Sequence, residues 1–276
     1  MKIIHHGSRW RPAPLIWLSL VLHVAGIVVL VLQHALWPWV VAVLIGNHLL
    51  IGAAVMFPRA RWLGPNLTRL PEATRQQNQI ALTFDDGPDP EVTPRVLDFL
   101  DRYQAKASFF CIGEKAAAFP DVVREIARRG HSVENHSHRH PHAFAFYGMA
   151  RLGREVDAAQ TAIGSITGQP PRFFRAPAGF RSPMLDPVLA KRGLRYISWT
   201  RRGFDAVRRD PARVLRRLTR GLAAGDVLLL HDGARTRTVD GEPIVLAVLP
   251  RLLDEIAAKG LKPVSLPAAF ADGSAT

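Results

Sequence analysis

The amino-acid sequence predicts a parallel α/β domain preceded by an apolar helical hairpin. Two observations lead to this prediction. A stretch of 47 residues from Pro12 to Pro58 contains no Lys, Arg, Asp or Glu, which is more apolar chain than a compact core needs. Beyond it, short apolar runs alternate with helical patterns, and such alternation is typical of a parallel sheet, open or closed into a barrel. About seven such units favour a barrel.

The uncharged stretch is long enough for two membrane-spanning helices. Because one span needs ~20 apolar residues, we place the spans at about residues 15–32 and 38–57, within an N-terminal segment of residues 1–62. A cleaved signal peptide is the alternative, but its apolar region is only ~7–15 residues long. We expect His23, Asn47 and His48, inside the spans, to be neutral residues that hydrogen-bond between the two helices.

The distribution of charge predicts the orientation of the hairpin. The formal net charge of +13 and the pI near 11.0 indicate an anionic partner, which is nucleic acid, anionic lipid or a phosphate-bearing substrate. No charge lies between the spans, and the flanking basic residues are Lys2, Arg9, Arg11, Arg59, Arg61, Arg69 and Arg75. The positive-inside rule then predicts a multi-pass protein of the inner membrane whose domain of residues 63–276 faces the cytoplasm.

The apolar runs and helical patterns of this domain can be placed in order along the chain. The single cysteine, Cys111, lies in the second predicted strand and is expected to be a buried structural thiol. The predicted strands are Ile80–Phe84, Ala107–Ile112, His131–Glu134, Arg172–Arg175, Arg195–Trp199, Asp226–Leu230 and Lys262–Leu266. The predicted helices are Thr93–Gln104, Asp121–Arg129, Gly148–Gly164, Ser182–Arg192, Pro211–Ala224 and Pro243–Lys259.

Two adjacent carboxylates, Asp85 and Asp86, directly follow the first predicted strand. Neighbouring carboxylates are costly unless a positive group lies beside them. In a barrel, the carboxyl ends of the strands are also where active sites form. A simple Asp-Gly-Pro turn is the alternative interpretation of this segment.

A histidine-rich segment follows the third predicted strand. His136 and His140 are four residues apart, which would place both imidazoles on one face of a helical turn, as a metal site requires. His138 and His142 are alternative ligands if the chain is extended, and a histidine-rich surface loop is the alternative without a metal. With one carboxylate, two histidines would form a facial ligand set that leaves positions open for water and substrate.

Two further strand ends carry polar residues. Arg175 begins the segment Arg-Ala-Pro-Ala-Gly after the fourth strand, and His231 and Asp232 follow the sixth. A lone histidine at a strand end usually has a structural role, but this one would lie on the same rim as the two carboxylates. The sequence therefore predicts one polar site built from four strand ends.

These segments resemble the polysaccharide deacetylase family, whose members carry the NodB homology domain and form carbohydrate esterase family 4. The resemblance covers roughly Gln79 to Leu266. It rests on the blocks Thr-Phe-Asp-Asp-Gly-Pro, His-Ser-x-x-His, Arg-x-Pro-x-Gly and Leu-Leu-His-Asp, which occur in the order typical of the family. The fold that the resemblance implies is a distorted (β/α)₇ barrel, and the implied activity is metal-dependent removal of an acyl group from an amino sugar.

The resemblance also implies roles for individual residues. Asp85 would be the general base and His231 the general acid, while Arg175 would tune the base and Asp205 would hold Arg175. The backbone N–H of Ala178 would bind the developing oxyanion. One divalent transition ion, zinc before cobalt, manganese or nickel, would be held by Asp86, His136 and His140.

Two departures from the family pattern bear on the substrate. Ala178 and Ala206 stand where the family usually has an aromatic residue and a tryptophan that wall the sugar cleft. With the cytoplasmic orientation, this favours a short undecaprenyl-phosphate-linked sugar carrying an N-acetyl or N-formyl group, with membrane lipids as further partners. The alternatives are a periplasmic deacetylase of peptidoglycan or exported polysaccharide, and a noncatalytic membrane-tethered glycan-binding module. Nucleic acid is not expected, because no exposed aromatic and basic motif occurs.

Overall fold

The structure, a computed structural model, describes residues 10–233 and 236–271. Two apolar helices come first: α1 (Pro14–Leu32) and α2 (Trp37–Met56), joined by a short 3₁₀ turn (His34–Leu36). Both are long and apolar enough to cross a membrane, and most of their side chains are exposed. The predicted pair of helices is therefore present. Lys2 and Arg9, two of the basic residues on which the predicted orientation rests, lie outside the described residues.

Polar side chains within the hairpin only partly follow the prediction. Asn47 Nδ2 donates to Ser19 Oγ of the other helix at 2.8 Å. His23 and His48 instead hydrogen-bond to backbone carbonyls one turn earlier in their own helices. Their rings still meet edge to face across the hairpin, with centroids 5.3 Å apart. The apolar surroundings explain this, because a helical carbonyl is the polar partner nearest to each histidine.

The domain after the hairpin is built on one parallel sheet. Its order is β5-β4-β3-β2-β1-β7-β6, and β8 pairs with β1 beside this path. The strands are β1 (Gln79–Asp85), β2 (Ala107–Cys111), β3 (Ser132–Asn135), β4 (Phe173–Phe174), β5 (Arg195–Tyr196), β6 (Arg201–Arg202), β7 (Val227–His231) and β8 (Lys262–Pro263). The sheet curls into a half-barrel, which confirms the predicted fold class.

Helices cover the outer face of the sheet. From one edge to the other, α8, α7, α6, α4, α10 and α9 are successive neighbours, and α5 packs against α6 and α7. Their bounds, with two short helices at the ends of the domain, are α3 (Glu72–Gln76), α4 (Val92–Arg102), α5 (Gly113–Ala118), α6 (Pro120–Arg128), α7 (Met149–Thr167), α8 (Leu185–Ala190), α9 (Pro211–Thr219), α10 (Ile244–Ala258) and α11 (Leu266–Ala269).

The two faces of the strands bury different residues, because side chains alternate along a strand. Leu82 and Phe84 of β1 belong to the large core under the helices, whereas Ala81 belongs to the core inside the curl. Cys111 lies in the outer core and is fully buried, as predicted. Burial raises the pKa of its thiol, so this cysteine is a packing residue.

Several strand predictions were too long, including Arg172–Arg175, of which only Phe173–Phe174 is a strand. The predicted strand Arg195–Trp199 is only β5, because Leu67 of the linker after the hairpin pairs there: Leu67 N donates to Tyr196 O and Ser198 N donates to Leu67 O. Leu70 N then donates to Gly225 O, before β7. The linker thus crosses the opening between the sheet edges. The predicted strand Lys262–Leu266 ends at Pro263, and Leu266 begins a helix.

Candidate active site

Parallel register brings the polar residues of the motifs to one rim. Asp85 is the last residue of β1 and stands opposite His231, the last residue of β7. On the other side, Asp85 stands opposite Phe110 of β2. Asp86 continues β1 into the loop above the barrel. The prediction that these strand ends form one site agrees with this arrangement.

Asp85 is paired with a fully buried arginine. Arg175 Nη1 donates to Asp85 Oδ1 at 2.7 Å and to Thr83 Oγ1 at 2.9 Å. Arg175 has no exposed surface and Asp85 retains only 4%. A buried charge is tolerable only when it is paired and hydrogen-bonded. This pair therefore fixes one carboxylate oxygen of Asp85 and leaves Oδ2 on the side of His136, whose Nε2 lies 3.9 Å away.

The guanidinium of Arg175 is held from several directions. Its Nε donates to Ile197 O at 3.3 Å and its Nη2 to Ser198 O at 3.0 Å, both in the segment after β5. Its Cζ lies 4.1 Å from the centroid of the Phe110 ring and 5.8 Å from that of Trp199. Backbone carbonyls and aromatic faces therefore hold Arg175 in place.

Asp86, His136 and His140 form a cluster able to hold a metal ion. Asp86 Oδ1 lies 3.1 Å from His140 Nε2 and 3.4 Å from His136 Nε2. Burial by itself would raise the pKa of Asp86, but hydrogen bonds to His136 and His140 lower it well below its usual range. Within the residues that the structure describes, this is the only such cluster. The predicted ligands are thus brought together.

The hydrogen bonding of His136 fits a metal ligand. Its Nδ1 lies 2.9 Å from the carbonyl oxygen of Arg175, which can only accept, so Nδ1 carries the proton. In a neutral imidazole the lone pair is then on Nε2, and Nε2 faces the carboxylate of Asp86. Two acceptors that face each other in a buried site require either a proton or a metal ion between them, and the second choice leaves His136 neutral as a ligand. The donor set of two imidazoles and one carboxylate suits a divalent transition ion.

The histidines meet without the helical turn that their spacing suggested, so that interpretation was wrong. Ser137 and His140 have φ values of 62° and 52°, in the left-handed region. Asn135 Oδ1 accepts from Ser137 N at 2.9 Å, and Ser137 Oγ accepts from His140 N at 3.1 Å. These side chains replace the helical hydrogen bonds and fold the loop back on itself. Asp86 also has positive φ, 73°, and such strain is common at functional sites.

Asp205 contacts His231 and not Arg175, which corrects the role expected for it. Its Oδ1 lies 2.9 Å from His231 Nδ1, and its Oδ2 accepts from His231 N at 2.7 Å. Burial would lower the pKa of His231, but the charge of Asp205 and its hydrogen bond outweigh burial and raise the pKa to about 9. His231 is therefore protonated at neutral pH. Arg175 needs no help from Asp205, because backbone carbonyls already hold it.

Ala178 lies in a short 3₁₀ turn, Pro177–Gly179, that follows β4. Its φ of 54° is unusual for a residue with a side chain, and Ala178 is exposed at the rim. His136 binds the carbonyl of Arg175, which lies just before this turn. The turn is therefore tied to the metal-binding cluster, and the oxyanion role of the Ala178 N–H remains a prediction.

Two residues near the site, Asp232 and Lys115, have contacts there although the sequence predicted no role for either. Asp232 is fully buried; burial raises its pKa to about 7, and Thr93 Oγ1 donates to Asp232 Oδ2 at 2.6 Å. Lys115 Nζ donates to the backbone carbonyl of Asp86 at 2.8 Å. The position of Asp232 directly after His231 was a signal for the first residue. Nothing in the sequence marked Lys115, which reaches the site from α5.

A buried carboxylate–arginine pair, a metal-binding cluster and a protonated histidine on the rim of a curled parallel sheet define a metal-dependent hydrolase. Comparison with known proteins identifies the class more closely. The sequence profile described as polysaccharide deacetylase matches residues 72–197. The chain belongs to the polysaccharide deacetylase family, carbohydrate esterase family 4, and is a carbohydrate deacetylase.

Relatives and solved structures agree with this assignment. A chitooligosaccharide deacetylase from Azorhizobium caulinodans is 34% identical, over 70% of this chain and 95% of the relative. A peptidoglycan-N-acetylglucosamine deacetylase from Bacillus cereus is 28% identical, over 71% and 89% of the two chains. A solved family 4 carbohydrate esterase from Streptomyces lividans, in complex with acetate, is 33% identical with a TM-score of 0.60; the match covers 67% of this chain and 91% of that one.

Proposed function

We propose that the protein removes the N-acetyl or N-formyl group of an amino sugar carried on undecaprenyl phosphate, at the cytoplasmic face of the inner membrane. Amino-sugar deacetylation is supported by the relatives, which act on chitooligosaccharide or on peptidoglycan N-acetylglucosamine. The observation that carries the lipid-linked substrate is the position of the hairpin. A Cβ added at Gly179, beside Ala178, would lie 3.1 Å from Pro58, which follows α2. The hairpin, which we propose as the membrane anchor, thus ends against the rim of the site.

A divalent ion bound here would supply Lewis acidity, which polarises an amide carbonyl and lowers the pKa of bound water. Asp86, His136 and His140 would hold the ion, and zinc suits a site with two imidazoles and a carboxylate. The hydrogen bond from His136 Nδ1 to the carbonyl of Arg175 aims Nε2 into the cluster. Lys115 holds the backbone of Asp86 in place.

Asp85 is the group placed to accept a proton from the attacking water. Arg175 binds its Oδ1, so the proton goes to Oδ2 on the side of the metal-binding cluster. As attack proceeds, negative charge builds on the former carbonyl oxygen. The N–H of Ala178, in the turn after β4, would donate to that oxygen.

His231 is the group placed to deliver a proton to the leaving amine. Because its pKa is about 9, it is protonated at neutral pH, and its Nδ1–H donates to Asp205, so Nε2 carries the proton to be transferred. An amide nitrogen leaves readily only when it is protonated. The products are acetate or formate and a free amino sugar.

The cleft favours a short substrate. Ala178 and Ala206 present no aromatic face on which successive sugar rings could stack, so one lipid-linked sugar fits better than a polymer. The second candidate function is a periplasmic deacetylase of peptidoglycan or exported polysaccharide. Its support is the peptidoglycan-N-acetylglucosamine deacetylase among the relatives.

Two variants separate the proposed base from the proposed ligands. Asp85→Asn should keep its metal and lose ~10²–10⁴-fold in turnover, because an amide has the shape of Asp85 but cannot accept the water proton. His140→Ala should lose metal, measured as ions per chain after dialysis, whereas exposed His142→Ala should not. Near-normal turnover in Asp85→Asn would reject the base assignment. Unchanged metal content in His140→Ala would move the ligand role to His138 or His142.

The substrate is tested with purified protein in detergent. The wild type should release acetate or formate from a polyprenyl-phosphate-linked amino sugar but not from chitin oligomers. The Asp85→Asn variant is the negative control and should release almost no acetate or formate from either substrate. Release from chitin oligomers or peptidoglycan, without release from the lipid-linked sugar, would replace the proposed substrate by the second candidate.

A further inference from the structure

A strongly basic groove lies between the end of the hairpin and the active site. It encloses about 470 Å³. We call it the arginine groove; the residues that give it its character are Pro58, Arg59, Trp199, Arg202, Phe204 and Arg217. It combines segments on both sides of the opening in the sheet with one face of α9.

Positive charge converges on one aromatic ring of this groove. The guanidinium carbons of Arg202 and Arg217 each lie 4.7 Å from the centroid of the Phe204 ring, and that of Arg208 lies 5.7 Å away. Within residues 10–233 and 236–271, none of the three forms a salt bridge. Neighbouring Arg201, by contrast, is bound by Asp226. Three positive charges around one ring repel one another, and a bound anion would offset this repulsion.

Arg202 occupies the least favourable of these positions. Burial lowers the pKa of its guanidinium, and its buried Nε has no hydrogen-bond partner among the described atoms. Its Cζ also lies 5.3 Å from the centroid of the Trp199 ring. Two aromatic rings therefore hold Arg202 in place, while its hydrogen-bonding capacity remains available to a ligand.

The groove lies beside the active site, with Trp199 between them. The Trp199 ring lies near Arg202 on one side and near Arg175, the partner of Asp85, on the other. The turn that carries Ala178 packs against the same ring, since a Cβ at Gly179 would lie 2.6 Å from Trp199. A ligand in the groove would thus lie across one indole ring from Arg175, the partner of Asp85.

The groove is also continuous with the hairpin. Arg59 follows the end of α2 at Met56 by three residues, and its Nη1 donates to the carbonyl of Thr200 at 3.4 Å. If α1 and α2 span a membrane, this position is at the level of the lipid headgroups, where arginine side chains meet lipid phosphates.

We infer that the arginine groove binds the phosphate that joins the amino sugar to its lipid carrier, an inference that rests on the proposed function. Guanidinium groups bind phosphate oxygens through paired hydrogen bonds, and their planar forks match phosphate geometry. With the phosphate between Arg59, Arg202 and Arg217, the lipid chain extends toward the hairpin and the sugar toward Ala178. The groove thereby selects a phosphate-linked sugar over a neutral oligosaccharide.

The kinetic test uses Arg217→Gln, because Arg217 is exposed and its loss leaves the core intact. With a polyprenyl-phosphate-linked amino sugar, KM should rise about tenfold or more, the effect of losing a charged hydrogen bond, and should rise by more than kcat falls. Arg216→Gln, an exposed residue of α9 outside the groove, is the matched control and should leave both constants unchanged. Arg202→Gln should act as Arg217→Gln does, with thermal unfolding measured to verify its fold.

A binding test without turnover uses polyprenyl phosphate lacking the sugar, in detergent micelles. The wild type and Arg216→Gln should bind it at least tenfold more tightly than Arg217→Gln does, and inorganic phosphate should compete only weakly. Equal binding by all three proteins would overturn the inference. Equal competition by phosphatidylglycerol vesicles would also overturn it, because the groove would then bind lipid headgroups in general.

The two proposals fail separately. If the wild type deacylates the lipid-linked sugar and Arg217→Gln does so with the same KM, the proposed function stands and the groove assignment is wrong. If polyprenyl phosphate binds in the groove but no acyl group is released, the groove assignment stands and the proposed reaction fails.

Discussion

At the scale of single residues, each proposed catalytic group owes its properties to a neighbour. Asp85 is oriented by Arg175, and His231 is charged because of Asp205. Each partner is at least 97% buried, where charge interactions are stronger than in water. Two buried pairs of opposite charge therefore place a carboxylate and a protonated imidazole on the same rim, one suited to accept a proton and the other to donate one.

The pairing of His231 with Asp205 predicts the pH dependence of the reaction. A general acid must be protonated, so activity should fall as pH rises through the pKa of His231, which is raised from 6.5 to about 9. Asp205→Asn removes the negative charge and lowers that pKa, so the alkaline limb of the kcat/KM profile should move to lower pH. The measurement compares the two profiles at equal metal content. An alkaline limb that does not move would exclude His231 as the titrating acid.

At the scale of secondary-structure elements, parallel pairing of β1 with β2 and β7 brings the motifs together. The motif loops leave the same end of these strands, so residues more than a hundred positions apart become neighbours. The opposite end of the sheet contains His131, the residue just before β3, which is 5% exposed. Its Nδ1 accepts from Ala107 N at 3.2 Å, which fixes the neutral tautomer there.

The burial of His131 predicts acid sensitivity of the β2–β3 pair. Burial lowers the pKa of His131 from 6.5 to about 4, so folding favours the neutral form. The stabilisation that comes from neutral, buried His131 is complete above about pH 6.5. It is lost as pH falls toward 4, by at most ~1.4 kcal/mol of unfolding free energy for each pH unit. His131→Asn keeps an acceptor for Ala107 without titrating. The free energy of unfolding, measured with urea on metal-free protein, should fall less between pH 7 and pH 4.5 in the variant than in the wild type. An equal fall in both proteins would contradict this prediction.

At the scale of the whole molecule, the hairpin is attached to the domain at several points. Trp10 Nε1 donates to Asp186 Oδ2 at 2.7 Å, which ties the residues before α1 to α8. Leu63 packs with Leu15 and Ala54 of the two helices. The linker then crosses the opening of the sheet. If the hairpin spans a membrane as proposed, its orientation therefore decides on which side of the membrane the active site lies.

The orientation is tested with reporters fused to the chain. Since two spans return the chain to its starting side, an alkaline phosphatase fused at Thr276 should be inactive, and one inserted at Gln33, between the spans, should be active. The basic residues that flank the spans, with none between them, are the reason for this expectation. Phosphatase activity at Thr276 would place the domain in the periplasm and favour the exported-polysaccharide substrate.

The sequence by itself determined the two apolar helices, the parallel α/β class and the set of residues at the rim. A hydrophobic run of membrane length and the alternation of short apolar runs with helical patterns are local properties that the chain displays directly. The rim followed as well, because the carboxyl ends of parallel strands meet at one edge whatever the exact sheet order. Asp85, Asp86 and His231 were therefore predictable as neighbours.

Only the tertiary structure decided how those residues are paired. It assigned Asp205 to His231 instead of Arg175, joined His136 and His140 without a helical turn, and placed the linker around Leu67 across the open side of the sheet. It also gathered Arg59, Arg202 and Arg217 into one groove from three separate segments. In each of these arrangements, a polar group is paired with a residue that is distant in the sequence. Packing in three dimensions decides which residue that is, and a local sequence pattern contains no information about it.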